Sequence, residues 1–294
     1  RLGLSDREGL AVRVTGVVQG VGFRPFVHRL AVRHQLDGWV LNAAGEVRIE
    51  LEGTAGALQE FLDALELEAP PLARIERVEV ERHPARGLSG FAIEASQDQP
   101  DRRQPVSPDV AVCAACDAEL RDPANRRFEY PFITCTDCGP RFTVINAMPY
   151  DRERTSMAAF SQCPACRAEY ESPGSRRYHS ETNSCFACGP RLWFAASDGA
   201  PRTAGAEEAL SAAALILFGG GILAVRGVGG FQLAVDATDE RAVALLRERK
   251  RREAKPLAVM VRSLEDAARL GRVGAAEAEL LASPERPIVL LERL

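Results

Sequence analysis

No apolar run among the 294 residues is long enough to cross a membrane. The longest, Ala212–Val225, is broken by Gly219-Gly220-Gly221 and falls short of the about 20 residues a spanning helix needs. No signal-like segment opens the chain. Charge is not one-sided: 37 Lys and Arg against 41 Asp and Glu leave a net −4, which does not point to double-stranded nucleic acid as a bulk partner. No cysteine stands alone either. All 8 fall in Cys-x-x-Cys pairs, a usage that suits a reducing, cytoplasmic setting better than a disulfide framework. The first residue is Arg1 and a strand-like run ends close to Leu294, so a piece of a longer protein is expected.

The pairs are Cys113/Cys116, Cys135/Cys138, Cys163/Cys166 and Cys185/Cys188. Each half of this set reads C-x2-C-x18-C-x2-C, the spacing of a four-cysteine zinc site in which two knuckles close a tetrahedron. A shift of 50 residues overlays Glu119 on Glu169, Arg126-Arg127 on Arg176-Arg177, and Cys138-Gly139-Pro140-Arg141 on Cys188-Gly189-Pro190-Arg191. The module is therefore a repeat of one folded unit. Four thiolates saturate each ion, so two structural zincs are expected and the chemistry must lie elsewhere.

Ahead of this module, residues 8–96 alternate strand-like and helical patterns in the order βαββαβ, which implies an antiparallel sheet with two helices on one face, the ferredoxin-like arrangement. Strands are expected at Leu10–Val18, Gly38–Leu41, Val47–Leu51, Ile75–Val80 and Phe91–Glu94, and helices at Pro25–Arg33 and Ala55–Leu65. Between the first strand and the first helix runs Gly16-Val17-Val18-Gln19-Gly20-Val21-Gly22-Phe23-Arg24-Pro25. A glycine-rich loop entering a helix N-terminus offers free N–H groups to an anion, and Arg24 adds a charged fork that fits phosphate. His28 and His34 follow on the helix, where surface or packing roles are expected.

Residues 97–110 are polar, proline-bearing and aperiodic, and read as a linker before the zinc module at 111–195. In that module Arg126-Arg127-Phe128 and Arg176-Arg177-Tyr178 admit two readings. Arginines beside aromatics can grip RNA, or they can pair with carboxylates such as Glu119 and Glu169 while the aromatics cap a small core. His179 lies between thiol pairs whose sites are already complete. From 203 to 294 the pattern becomes α/β. It has a helix at Ala206–Phe218, strands at Gly221–Val225 and Gln232–Val235, and a helix capped by Asp239 with Ala242, Leu245 and Leu246 on its apolar side. Strands at Leu257–Val261 and Ile288–Leu291 follow. The basic run Arg247–Arg252 and Lys255 suits either a solvated helix end or a polyphosphate-binding rim.

The loop at Gly16–Pro25 resembles the acylphosphatase signature, and Gly38-Trp39-Val40-Leu41-Asn42 resembles that family's second motif. The resemblance implies hydrolysis of an acyl phosphate. Gly20, Val21, Gly22 and Phe23 would cradle the phosphoryl group, Arg24 would bind it, and Asn42 would orient the attacking water. The repeat around the cysteines, with Pro131-Phe132, Cys138-Gly139-Pro140-Arg141-Phe142 and Pro149-Tyr150-Asp151-Arg152, resembles the paired fingers of the HypF-type carbamoyltransferases of nickel–iron hydrogenase maturation. Ser180, Thr182 and Phe186 depart from that pattern. The final stretch is similar to YrdC-like domains, which implies that Lys250, Arg252 and Lys255 hold ATP. There Arg226, Gln232 and Glu253 depart from the usual residues.

The expected fold class is α+β multidomain: a ferredoxin-like acylphosphatase domain, two four-cysteine zinc fingers and a partial, truncated α/β YrdC-like domain. The resemblance implies an enzyme that uses carbamoyl phosphate and ATP, with Mg, to make carbamoyl-adenylate. Its acceptor would be the C-terminal cysteine of a HypE-type protein. The competing expectation is a zinc-ribbon RNA-binding protein with a YrdC-like role in tRNA modification, for which a salt-dependent affinity for tRNA would be the mark.

Overall fold

The computed structural model describes residues 7–43, 45–97, 105–196, 199–200, 202–203 and 205–294. The chain divides into two compact units, Arg1–Gly189 and Pro190–Leu294. The middle of the expected linker, 98–104, lies outside the described residues.

The first unit opens with β1 (Glu8–Val17), α1 (Phe23–Arg33), β2 (Asp37–Ala43), β3 (Glu46–Gly53), α2 (Ala55–Leu67), β4 (Arg74–Pro84) and β5 (Phe91–Ile93). The strands form a five-stranded sheet in the order β4-β1-β3-β2-β5. β1 is antiparallel to β3 and β4, β2 is antiparallel to β3, and β5 adds in parallel to β2. The expected ferredoxin-like order is present, with the last strand as a short parallel edge.

Alternation explains the core. Leu10, Val12 and Val14 of β1 stand opposite Leu51, Ile49 and Val47 of β3, and all six are buried on the helix-covered face. Helix α1 presents Phe23, Phe26, Val27, Leu30 and Ala31 to the same layer, the i, i+3, i+4, i+7, i+8 stripe of an amphipathic helix. Helix α2, capped by the Thr54 side chain on Ala57 N–H, adds Leu58, Phe61 and Leu65.

The zinc module packs into the same unit. Two short helices, α3 (Ala114–Arg121) and α4 (Pro164–Glu171), each start at a knuckle cysteine, Cys113 and Cys163. The described end of the expected linker, 105–110, is not a loose tether. Ser107 is buried, Asp109 accepts the N–H of Arg141 at 2.7 Å, and Val110 bridges Gly139.

The second unit contains α5 (Ala206–Phe218), the hairpin β6 (Leu223–Gly227) and β7 (Gly230–Ala234), α6 (Glu240–Lys250), α7 (Leu264–Leu270), β8 (Gly271–Arg272), α8 (Ala275–Ala282) and β9 (Glu292–Arg293). Asp239 caps α6 by accepting from Arg241 and Ala242 N–H, as expected. Ala242 and Leu246 are buried, whereas Leu245 is exposed. The strands expected at Leu257–Val261 and Ile288–Leu291 do not form. A strand needs a neighbour for its N–H and C=O groups, and among the described residues none pairs with these runs. Val259, Met260, Ile288 and Leu290 of these runs are exposed.

Candidate active site and metal centres

The loop from β1 into α1 owes its shape to glycine. Gly20 and Gly22 hold φ of 71° and 75°, in the left-handed region, and Gly22 is the N-cap of α1. A Cβ on Gly22 would meet Thr136 and Asp137 at 3.3–3.4 Å, because the first finger rests on the loop. Pro25 falls in the first helical turn, where its missing N–H costs nothing. Among the described residues, no protein acceptor meets the N–H groups of Val21, Gly22, Phe23 or Arg24. A helix N-terminus with this many unpaired donors carries partial positive charge and is suited to an anion.

Arg24 is 8% exposed, and its two terminal nitrogens are fully engaged. Nη1 donates to Asp151 Oδ1 at 3.1 Å and to Ser96 Oγ at 3.3 Å. Nη2 donates to the Tyr150 carbonyl and to Glu181 Oε1, each at 3.1 Å. Nε is the donor left over. Asn42, on β2, is 1% exposed, and its Oδ1 has no hydrogen-bond partner among the described residues. A buried amide oxygen without a partner is costly and is expected where a ligand or water is to be held.

The cleft beside Arg24 is walled by both parts of the unit. Gly20, Gly22, Arg24 and Pro25 come from the loop and α1, and Thr136, Arg141, Tyr150 and Ser180–Thr182 from the fingers. Arg141 fastens the two together. Its Nε donates to the Gly20 carbonyl, while its other nitrogens donate to Cys138 and Thr136 carbonyls at 2.8 Å. On the opposite wall, Glu181 Oε2 accepts Arg152 N–H at 3.0 Å and the Tyr170 hydroxyl at 3.2 Å. Burial pushes the Glu181 carboxyl up to about 7 despite the pull of Arg24.

Arg141, Tyr150 and Asp151 entered the sequence reading only as motif residues and Glu181 not at all; none was given a role at this site, although a signal was present. In the 50-residue repeat the first finger has Tyr130-Pro131-Phe132-Ile133 where the second has Ser180-Glu181-Thr182-Asn183. All four residues of the second finger are polar and buried. The repeat breaks where the second finger faces Arg24.

Both thiol clusters fit zinc. In each, the four Sγ atoms lie within 4.8 Å of one another, with neighbouring pairs such as Cys113–Cys135, Cys163–Cys185 and Cys166–Cys188 at 3.7, 3.8 and 3.5 Å. A tetrahedron with about 2.3 Å to each sulfur has edges of about 3.8 Å. None of the eight cysteines is in a disulfide.

The arginine pairs resolve in favour of carboxylate pairing, with a swap that the sequence did not reveal. Arg126 and Arg127 of the first finger bind Glu169 and approach Cys166 Sγ at 3.4–3.6 Å in the second. Arg176 and Arg177 of the second bind Glu119 and approach Cys116 Sγ at 3.7–3.9 Å in the first. Four thiolates around a dication leave a net charge of −2, and each arginine pair answers it from the other finger. Burial alone would raise the Glu169 carboxyl, but Arg127 and Arg126 hold it down at about 2.

His28 packs against aromatic rings, His34 meets a surface carboxylate, and His179 packs on two tyrosines at the edge of the cleft. His28 lies edge-on to Tyr178 and Phe91, at ring distances of 5.1 and 5.8 Å. His34 faces Glu60. His179 packs on Tyr170 and Tyr178 and belongs to neither sulfur cluster.

In the second unit, Lys250 ends α6 and Lys255 lies exposed a few residues on. The turn between them is tied by Arg247, whose Nη1 donates to the carbonyls of Arg252, Glu253 and Lys255, each at 3.1 Å. Arg252 itself donates to the Pro256 carbonyl at 2.9 Å. Arg226 sits over the Phe231 ring at 5.5 Å.

Family comparisons cover nearly the whole chain. The acylphosphatase family matches residues 10–93, the HypF finger matches 112–145 and 163–195, and a family described as telomere recombination matches 216–294. The chain is 54% identical over 288 residues to carbamoyltransferase HypF2 of Cupriavidus necator, which covers 97% of this chain and 35% of that protein. The chain belongs to the HypF family. Carbamoyltransferase HypF of Synechocystis is 50% identical over 97% of this chain and 37% of that protein. The chain thus spans about a third of the length of the curated relatives it matches. A solved structure of full-length HypF in a phosphate- and nucleotide-bound form superposes with a TM-score of 0.87 at 39% identity, over 95% of this chain and 36% of that one. HypF of T. kodakarensis superposes at 0.86 and 41% identity, over 98% of this chain and 36% of that one.

Proposed function

We propose that the first unit hydrolyses carbamoyl phosphate at the loop Gly20–Arg24. The phosphoryl oxygens would take the unpaired N–H groups of Val21–Arg24 together with Arg24, and Asn42 Oδ1 would accept from the attacking water. Water adds to phosphorus, the bond between phosphorus and the bridging oxygen breaks, and carbamate and phosphate leave. Carbamate is a good leaving group, so charge stabilisation rather than a strong base carries the step.

The second unit would hold ATP, accompanied by Mg, at Lys250, Arg252 and Lys255. Carbamate displaces pyrophosphate from ATP to give carbamoyl-adenylate. In the whole protein the carbamoyl group then passes to the C-terminal cysteine of a HypE-type acceptor, releasing AMP. A nucleotide- and phosphate-bound HypF structure supports both halves of this reading.

The observation that carries the proposal is the run of unpaired N–H donors at the start of α1, with Arg24 beside it. Phosphate release from carbamoyl phosphate by the zinc-loaded chain tests it. Arg24→Ala is expected to lower kcat/KM by about a hundredfold or more. Parent-like activity in that variant would remove the cradle assignment.

A further inference from the structure

We propose that Glu181 is a positioning residue for Arg24, so that the second finger is a working part of the acyl-phosphate site rather than a spacer beside it. The proposal rests on the cradle reading above and extends it to a residue outside the acylphosphatase-like sheet.

Three observations carry it. Glu181 is 3% exposed yet lies outside both sulfur clusters and both finger helices, so neither metal binding nor helix formation explains a buried acid there. One carboxylate oxygen meets Arg24 Nη2 at 3.1 Å, and the other is itself fixed by Arg152 N–H and by Tyr170. The two terminal nitrogens of Arg24 are fully taken by Glu181, the Tyr150 carbonyl, Asp151 and Ser96, which leaves Nε and the loop N–H groups for an anion. A guanidinium on a flexible stem needs such a grip to hold one orientation, and orientation is worth orders of magnitude in rate.

The repeat supports the same conclusion. At the equivalent position the first finger carries Pro131, which has no carboxylate to offer an arginine. The groups that face Glu181 are Arg24 from α1, Asp151 and Arg152 from the turn between the fingers, and Tyr170 from α4, with the Tyr150 carbonyl sharing Arg24. Burial holds the carboxyl near 7, so the grip weakens as pH falls below neutrality and the acid takes up its proton.

The test uses the full zinc-loaded chain with carbamoyl phosphate, from pH 5.5 to 8.5. The parent is expected to lose kcat/KM below about pH 7. Glu181→Gln keeps an acceptor for Arg24 and the side-chain volume, so it is expected to keep both zincs while kcat falls about tenfold. KM should move less than threefold, and the limb near pH 7 should vanish. Glu181→Ala should lose more than Glu181→Gln. Parent-like kcat and an unchanged pH limb in Glu181→Gln would overturn the proposal, as would a parent with no limb near 7. Arg24→Ala separates the two claims. If it retains activity, the cradle reading itself fails; if only the Glu181 variants do, the positioning role fails alone.

Discussion

Arg127 of the first finger crosses to Glu169 of the second, with Nη1 and Oε1 2.9 Å apart, and Arg177 of the second returns the contact to Glu119. The 50-residue repeat is therefore folded as a mutual brace. Each arginine also reaches a thiol of the other finger's metal site, so the two sites are stabilised through each other's protein rather than side by side.

Arg127 is 1% exposed, and its removal leaves Glu169 short of a buried partner. Arg127→Met is expected to cost about 3 kcal/mol or more in denaturant unfolding of the zinc-loaded chain. The sharper expectation concerns which site suffers. Chelator challenge followed by thiol alkylation and mass spectrometry should label Cys163, Cys166, Cys185 and Cys188 first. Arg177→Met should reverse the order and expose Cys113, Cys116, Cys135 and Cys138. Labelling confined to the mutated finger's own site would rule out the brace.

Asn42 offers a case in which stability and activity separate. Its Oδ1 is buried without a partner among the described residues, so Asn42→Ala removes an unsatisfied acceptor along with a small packing volume. The two effects oppose each other, and unfolding free energy is expected to change by less than about 1 kcal/mol. Turnover of carbamoyl phosphate should nonetheless fall about a hundredfold, with the loss in kcat rather than KM. A variant that is strongly destabilised, or as active as the parent, would show that Asn42 serves packing.

Much of this site was legible in the chain. Gly20, Gly22 and Arg24 announce themselves because a left-handed turn and a charged fork each need a specific residue type at a fixed offset from a helix start. The cysteines are equally plain, because metal geometry constrains spacing. Glu181 and Asp151 lie 157 and 127 residues from Arg24, and no local rule links them. Only the failure of the repeat at Ser180–Asn183 hinted that the second finger faces something polar. The strands expected at Leu257–Val261 and Ile288–Leu291 failed for a related reason. Periodicity reports a tendency to pair, and pairing depends on a neighbour.

Glu181 and His179 have opposite effects on stability across one pH window. Burial raises Glu181 from its usual 4.5 to about 7, so the folded chain binds that proton more tightly than the unfolded chain. Its contribution is fully present below 4.5 and is lost as pH rises to about 7, up to about 3 kcal/mol. Burial lowers His179 from 6.5 to about 4, with Arg24 adding to the shift, so its contribution is present above 6.5 and is lost as pH falls to about 4. Between 4.5 and 6.5 the two slopes cancel, and neither residue tilts the parent's stability curve. Single substitutions should expose each one. Glu181→Gln is expected to lose stability relative to the parent as pH falls through that window. His179→Asn, which tolerates the residue's positive φ of 50°, is expected to gain relative to the parent over the same range. Urea midpoints measured at intervals of half a pH unit, each referred to the parent at the same pH, would show two curves of opposite tilt. Parallel curves would mean that neither residue titrates with the shift its burial imposes.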